Sequence, residues 1–246
     1  KTMCAIFGIF NVAKAAEMAV IGLHGNQHRA ITLAGVVSSD GYNFYRERGV
    51  GLARQVFTKE KLNRLHGRHA LGHIRYPTVV DDPTRDNIQP IVGIYNKSPI
   101  AIAHNGNLTN TEQLALRLSK SKLSTSMDTE YILRLLEGND TGNIEADVAT
   151  VFGMLLGSAT LGILLPDRLI AVRDKSGNRP LSIGKFNGGY CITSETCALP
   201  SVGAEHFDDV SPGTIVTISG EGLCVRRFAE ANEKKCRFEG IYYSHP

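Results

Sequence analysis

The chain is predicted to be an α+β protein built on antiparallel sheets. Strand-like apolar runs open it, three helical patterns cluster in its middle, and further strand-like runs separated by tight-turn signals close it. Two sheets sharing one core between helical layers accommodate that order. The composition permits it: 246 residues, 42% apolar and 21% charged, are ordinary for a globular chain with a sizeable core. No low-complexity linker and no internal repeat interrupts the pattern. Residues 4–246 therefore read as one domain, preceded by Lys1-Thr2-Met3 as a leader or cloning remnant.

The first element is the run Cys4-Ala5-Ile6-Phe7-Gly8-Ile9-Phe10, rich in Ile and Phe and therefore a buried strand that starts almost at the terminus. Ala16, Ala19, Val20 and Leu23 then recur at helical spacing, giving a helix that ends around Gly25 and Asn26. Residues 32–38 are apolar and β-branched, Asp40-Gly41 signals a hairpin, and residues 42–48 alternate aromatic with polar side chains. Residues 52–65 read as a polar amphipathic helix and residues 70–76 as a strand. Residues 77–90, punctuated by Pro77, Pro83 and Pro90, read as a loop long enough to be a lid.

Residues 99–104 form another strand, which runs straight into Asn105-Gly106-Asn107. Thr109 and Glu112 stand three apart, a capping-box signature for a helix over residues 113–118. Asp128 opens the next helix, whose apolar face is Ile132, Leu133, Leu135 and Leu136. A third helix covers residues 144–156 and stops at Gly157. Strands follow at residues 160–165, 169–173, 181–183, 190–193, 214–218 and 223–228. Gly177-Asn178, Asn187-Gly188 and Gly220-Glu221-Gly222 mark turns between them.

Charge and cysteine usage narrow the function classes. The net charge of +3 comes from 27 basic and 24 acidic residues spread without a long single-sign run, which speaks against nucleic acid or a membrane surface as partner. Small anionic or zwitterionic ligands fit. Cys4, Cys191, Cys197, Cys224 and Cys236 form an odd set without zinc-type spacing, so a reducing, cytoplasmic setting is expected and a disulfide framework is not. No apolar stretch approaches the ~20 residues of a membrane span, and no signal peptide precedes the core pattern. His66, His69 and His73 lie close in sequence, but strand alternation is expected to split His69 from His73 and so deny a metal site.

A cysteine at the head of a core strand has two readings. It is a small buried hydrophobe, or it is a nucleophile whose own main-chain amine serves as base. An α-amino group titrates near ~7.7 to 8.0 and a thiol near ~8.5, so at neutral pH the amine can take the thiol proton. Read from the residues alone, Arg75 is a surface ion-pair residue, Asp128 before an apolar helical run is a helix N-cap, and Asn105-Gly106 after an apolar strand is a hairpin turn.

Taken in order, several stretches resemble the class II glutamine amidotransferases. They are Cys4 with Ile6 to Ile9, Gln27-His28-Arg29, Gly72-His73-Ile74-Arg75-Tyr76, His104-Asn105-Gly106-Asn107-Leu108, Asp128-Thr129-Glu130, Arg179 to Gly184, Ser194-Glu195-Thr196-Cys197-Ala198 and Ile241-Tyr242-Tyr243-Ser244. The glutaminase domain of that family is an N-terminal-nucleophile hydrolase with a four-layer αββα fold, and the resemblance is to its purine-synthesis branch. It implies that glutamine is hydrolysed to glutamate and ammonia through a Cys4 thioester. The ammonia would pass to a phosphoribosyltransferase domain or chain for phosphoribosylamine formation. By the same resemblance Asn105 and Gly106 hold the oxyanion, Arg75 and Asp128 hold the substrate's head, and Thr78 lies on a loop that closes over glutamine. Arg29, Tyr76 and His104 support the site.

The chain departs from the family pattern at four places. Lys1 to Met3 precede the cysteine, and while they stay attached the Cys4 nitrogen is an amide without basicity. Ala5 stands where the family has glycine, adding a methyl group beside the thiol. Ala30, Ile31 and Thr32 follow Arg29 in place of a glycine and an acidic residue. The sequence stops at Pro246, where a phosphoribosyltransferase domain would begin. These departures motivate a second expectation, a non-catalytic glutaminase-like regulatory or assembly module with a blocked N-terminus. No cofactor is expected in this chain. An iron–sulfur cluster, with Cys236 at the position of its first ligand, and magnesium are expected only together with a downstream domain. Homo-oligomerisation is compatible with all of this.

Overall fold

The computed structural model describes residues 4–76, 87–118, 123–186, 188–234, 236–237 and 239–243. The opening apolar run forms β1 (Cys4–Phe10), buried along its whole length. Both its edges are paired. β4 (His69–Arg75) lies antiparallel on one side and β10 (Gly189–Thr193) on the other. β2 (Leu33–Ser39) and β3 (Phe44–Val50) extend the sheet beyond β4, and β9 (Ser182–Phe186) and β11 (Glu205–Asp209) extend it beyond β10.

The second sheet runs β13 (Gly222–Arg227), β12 (Thr214–Ser219), β8 (Arg168–Arg173), β7 (Gly157–Leu165), β6 (Ser98–Leu108) and β5 (Ile91–Tyr95), again antiparallel at every pairing. Strand alternation sends one side chain in two to each face, which sorts the apolar residues into three cores. Ile6, Phe10, Leu71, Ala101, Ala103, Ile192 and Val216 meet between the sheets. Ala5, Phe7, Ile9 and Ala34 pack outward against α1 (Ala15–Gly25). Ile100, Ile102 and Leu161 pack outward on the other side against α5 (Asp128–Gly138) and α6 (Ile144–Phe152). The layers are helix, sheet, sheet, helix, as the sequence led us to expect. At Gly162 the two sheets approach closely, because a Cβ there would stand 2.7 Å from a Leu71 methyl and 3.0 Å from Ile6.

Several local expectations need correction. The helix expected over residues 52–65 is two short ones, α2 (Ala53–Val56) and α3 (Lys59–Leu62), because Thr58 interrupts it and caps the second with its hydroxyl. The Thr109/Glu112 capping box does not form. α4 (Thr111–Arg117) is preceded by Asn110, and Thr109 N–H instead donates to Leu156 O at 2.9 Å. The third helix ends at Phe152 rather than 156. β5 and β11 were not foreseen. His69 and His73 share a face after all, four residues apart on β4, yet they do not converge. His69 stacks on Phe10 with ring centroids 4.1 Å apart, while His73 is buried between the sheets. No described helix is long and apolar enough to cross a membrane.

Candidate active site

Cys4 shares its face of β1 with Ile6, so its side chain is directed to the space between the sheets. It is 3% exposed. In the ladder it stands opposite Arg75, the last residue of β4, which is the position the sequence proposed for carboxylate recognition. Burial pushes the Cys4 thiol up to about 11, against the pull of the Arg75, Arg179 and Arg29 guanidiniums and together with the push of the Asp128 carboxylate. A thiol so placed is almost wholly protonated at neutral pH, and attack requires a base beside it.

Across the gap lies the end of β6, where the architecture leaves backbone groups exposed to the site. β5 pairs with β6 only as far as Ile91↔Ile102, so beyond Ile102 one edge of β6 has no strand beside it among the described residues. His104 N–H is taken by Gln89 Oε1 at 2.6 Å, and His104 C=O accepts from His73 Nε2 at 3.1 Å, which ties the two sheets together. Four positions on, Leu108 N–H donates to Asp128 Oδ2 at 3.1 Å. Gly106 N–H alternates with its neighbours and faces the same edge, between these two donors. A side chain cannot stand at 106, since a Cβ would lie 2.1 Å from Ser158 O.

Asn105 points the other way, between the sheets, with Ala101 and Ala103. Its side chain is fully buried, and neither its amide nitrogen nor its oxygen has a hydrogen-bond partner among the described residues. Buried polar groups are almost always paired, so this one stands out as a group kept for a ligand.

Asp128 is the first residue of α5 rather than its N-cap, which is Met127. Its carboxylate is drawn back toward β6, with Oδ1 3.2 Å from His104 Nδ1 and Oδ2 on Leu108 N–H. Burial opposes its ionisation, but the His104 imidazole, the Leu108 N–H and the Arg75 charge outweigh that and hold the carboxyl down at about 2. Because the folded value lies below the ordinary 3.8, the carboxylate stabilises the fold above pH ~4, by about 2 kcal/mol, and loses that contribution as pH falls toward ~2. In urea titrations between pH 2 and 5, Asp128→Asn is therefore expected to show a shallower loss of stability with acid than the parent. Parallel curves would contradict this.

Arg29 is fully buried in the 3₁₀ turn that follows α1. Its Nε donates to Cys4 O at 2.9 Å, and Nη1 reaches Glu195 Oε1 at 2.5 Å. Nη2 lies 2.6 Å from Glu239 Oε1, an ion pair off the hydrogen-bonding line. Glu239 also pairs with Arg179. The neighbouring Ser194 clamps β1, its Oγ accepting from Ile6 N–H at 2.9 Å and its N–H donating to Ile6 O at 3.0 Å. Glu195, Glu239, Gln89 and His73 were given no role by the sequence reading. Glu195 and His73 lay inside stretches that carried the resemblance, whereas Gln89 and Glu239 had no local signal.

Thr78 lies outside the described residues. Tyr76, the residue after β4, is half exposed. The Ala5 methyl sits in the core against α1, on the face opposite the thiol, so it does not crowd Cys4 as expected. Ala30 is buried in the same core and Ile31 is exposed. Arg29 itself is paired with Glu195 and Glu239. Cys236 belongs to no group of three or more potential metal ligands among the described residues, so these residues do not build a cluster site. His28, Glu195 and Cys197 do come together, but the Arg29 guanidinium already occupies that carboxylate.

A buried thiol heading a strand of an αββα sandwich, facing donors on the opposing sheet, defines an N-terminal-nucleophile hydrolase. A family model described as "Glutamine amidotransferase domain" matches residues 73–201, and the chain belongs to that family. Within it the chain is similar to amidophosphoribosyltransferases. It is 36% identical to the Bacillus subtilis enzyme over 247 residues, covering 99% of this chain and 52% of that protein. It is 35% identical to the Staphylococcus aureus enzyme over 248 residues, covering 99% and 50%. The solved B. subtilis glutamine phosphoribosylpyrophosphate amidotransferase, complexed with ADP and GMP, superposes with a TM-score of 0.92 at 35% identity over 99% of this chain and 53% of that one. The chain thus spans about half the length of the relatives it matches.

Proposed function

We propose that this chain hydrolyses glutamine to glutamate and ammonia, and that the ammonia serves phosphoribosylamine formation on a phosphoribosyltransferase domain or chain. The observation that carries this reading is the fully buried Asn105 amide, unpartnered among the described residues, next to the Gly106 N–H on the edge of β6 that β5 does not cover, across the inter-sheet gap from the Cys4 face. Arg75 receives the substrate's α-carboxylate. Asp128 receives its ammonium, since a carboxylate can accept about four hydrogen bonds and two are in use.

Cys4 Sγ, relieved of its proton, attacks the side-chain amide carbon. The C–S bond forms as the carbonyl π electrons move to oxygen, where Asn105 Nδ2 and Gly106 N–H stabilise the charge. The oxyanion collapses, and the C–N bond breaks as the Cys4 amine hands its proton to the leaving nitrogen. Water then attacks the thioester, the same amine takes its proton, and glutamate leaves as the thiol is restored. A thiol held at about 11 needs that amine, so the active form is the chain in which Cys4 is the first residue. Magnesium and an iron–sulfur cluster enter no step.

The test compares two preparations, one beginning at Cys4 by intact mass and one retaining Lys1 to Met3. The first is expected to release glutamate from glutamine and to add one equivalent of a glutamine-like diazoketone at Cys4. The second is expected to do neither at a rate above about one hundredth of the first, the scale of a lost general base. Equal rates would sink the amine's role, and silence from both would sink the function.

A further inference from the structure

We propose that Glu239, in the π-helical turn Glu239–Tyr243, is a positioning residue for the nucleophile, acting through Arg29 and Arg179. The inference rests on the glutaminase reading only for its kinetic arm. Glu239 is 7% exposed and holds two guanidiniums at once, Arg29 at 2.6 Å and Arg179 at a shorter separation. Arg29 is fully buried and spends its remaining donors on Glu195 and on Cys4 O itself.

The route from Glu239 to the reacting residue is thus two contacts long, an ion pair to Arg29 and then a charge-assisted hydrogen bond from Arg29 to Cys4 O. Arg179 is placed by its own main chain as well. Its carbonyl accepts from Arg173 Nε at 2.9 Å and from Thr160 Oγ1 at 3.4 Å, on the strand that pairs with Asn105. Both guanidiniums lower the Cys4 thiol against its burial. Burial opposes the Arg29 charge in turn, and Glu239 leads the groups that restore it. If the carboxylate is removed, two buried cations lose their shared anion, and the arrangement that holds the Cys4 carbonyl relaxes. The turn is therefore a lever: whatever displaces residues 239–243 displaces the nucleophile's support.

The experiment uses the chain beginning at Cys4 and compares Glu239→Gln and Glu239→Asp with the parent and with Glu205→Gln on the exposed β11 strand. Assays run well below each variant's melting temperature. Glu239→Gln is expected to lower kcat about tenfold with glutamine KM within twofold, and to raise by at least half a unit the pH at which iodoacetamide alkylates Cys4 half-maximally. Glu239→Asp, which keeps the charge on a shorter arm, is expected to recover part of both changes, and it alone decides if Glu239→Gln does not fold. A lower melting temperature with unchanged kcat and alkylation profile would reduce Glu239 to a structural ion pair. A downward alkylation shift would show its charge acting on the thiol directly, and either result overturns the proposal. Because alkylation needs no turnover, an alkylation shift in a chain without glutaminase activity would sink the functional reading and leave the positioning role standing.

Discussion

Cys4→Ala is expected to lower kcat for glutamine hydrolysis by about ten-thousand-fold or more, the scale seen when a nucleophile is removed from a concerted site. Three of the other four thiols are poorly placed to stand in. Cys191 is buried in β10, with burial pushing it up to about 12, and Cys197 is held up to about 11 by burial and by Glu195. Cys224 is exposed on the outer strand β13. The residues assigned to the substrate's head are untouched by the change, so glutamine affinity should stay within about threefold, since uniform binding and the chemical step are separable. Single-turnover glutamate release measures the first quantity and calorimetric titration of glutamine the second. A variant that kept even one hundredth of the parent's rate would show that the sulfur is not the attacking atom.

That separability explains which parts of the molecule could be read from its residues. β1, α1 and most strands of the second half announced themselves because burial on one or both faces leaves a periodic trace. β11 left none. All of Glu205–Asp209 is exposed, and the strand exists because its backbone pairs with β9 at a sheet edge, where charged side chains are tolerated. β5 was hidden behind Pro90, at the end of a stretch that otherwise reads as loop. The break between α2 and α3 turns on the single hydroxyl of Thr58, too small a signal to outweigh a run of helix-compatible residues.

The candidate site divides in the same way. Cys4 stood out as a thiol heading an apolar strand, and Arg75, Asn105, Gly106 and Asp128 through the family resemblance, while their directions follow from the strands and helix that carry them. Their supports did not. Gln89 reaches His104 from the far side of a loop, and Glu239 reaches Arg29 from the other end of the chain. Contacts of this kind are set by tertiary placement and have no spacing in sequence. Asp128 shows how a local rule can mislead. Aspartate before an apolar helical run reads as a cap, but here His104 and Leu108 take its oxygens and Met127 holds the cap position.

Asn105→Ala is expected to cut kcat about 100- to 1,000-fold, the 2.7 to 4 kcal/mol attached to one oxyanion donor, and to leave stability unchanged or raised by up to ~1 kcal/mol. The two halves of the prediction come from one observation. Truncating a buried amide normally strands its partners and destabilises the fold, but this amide has none among the described residues. Its burial is a standing cost that only a ligand's oxyanion offsets, so removing it relieves the folded state while depriving the transition state of a donor. Gly106 N–H remains in the variant, which is why loss should stop short of the Cys4→Ala level. Asn105→Asp should fall further, because a carboxylate in that position would repel the oxyanion and disfavour the neighbouring thiolate. Denaturant midpoints and kcat, measured on the same preparations, decide the matter. If Asn105→Ala lost both stability and activity in step, the amide would be a structural group with a missed partner, and the opposing strand would not be the place where the oxyanion is held.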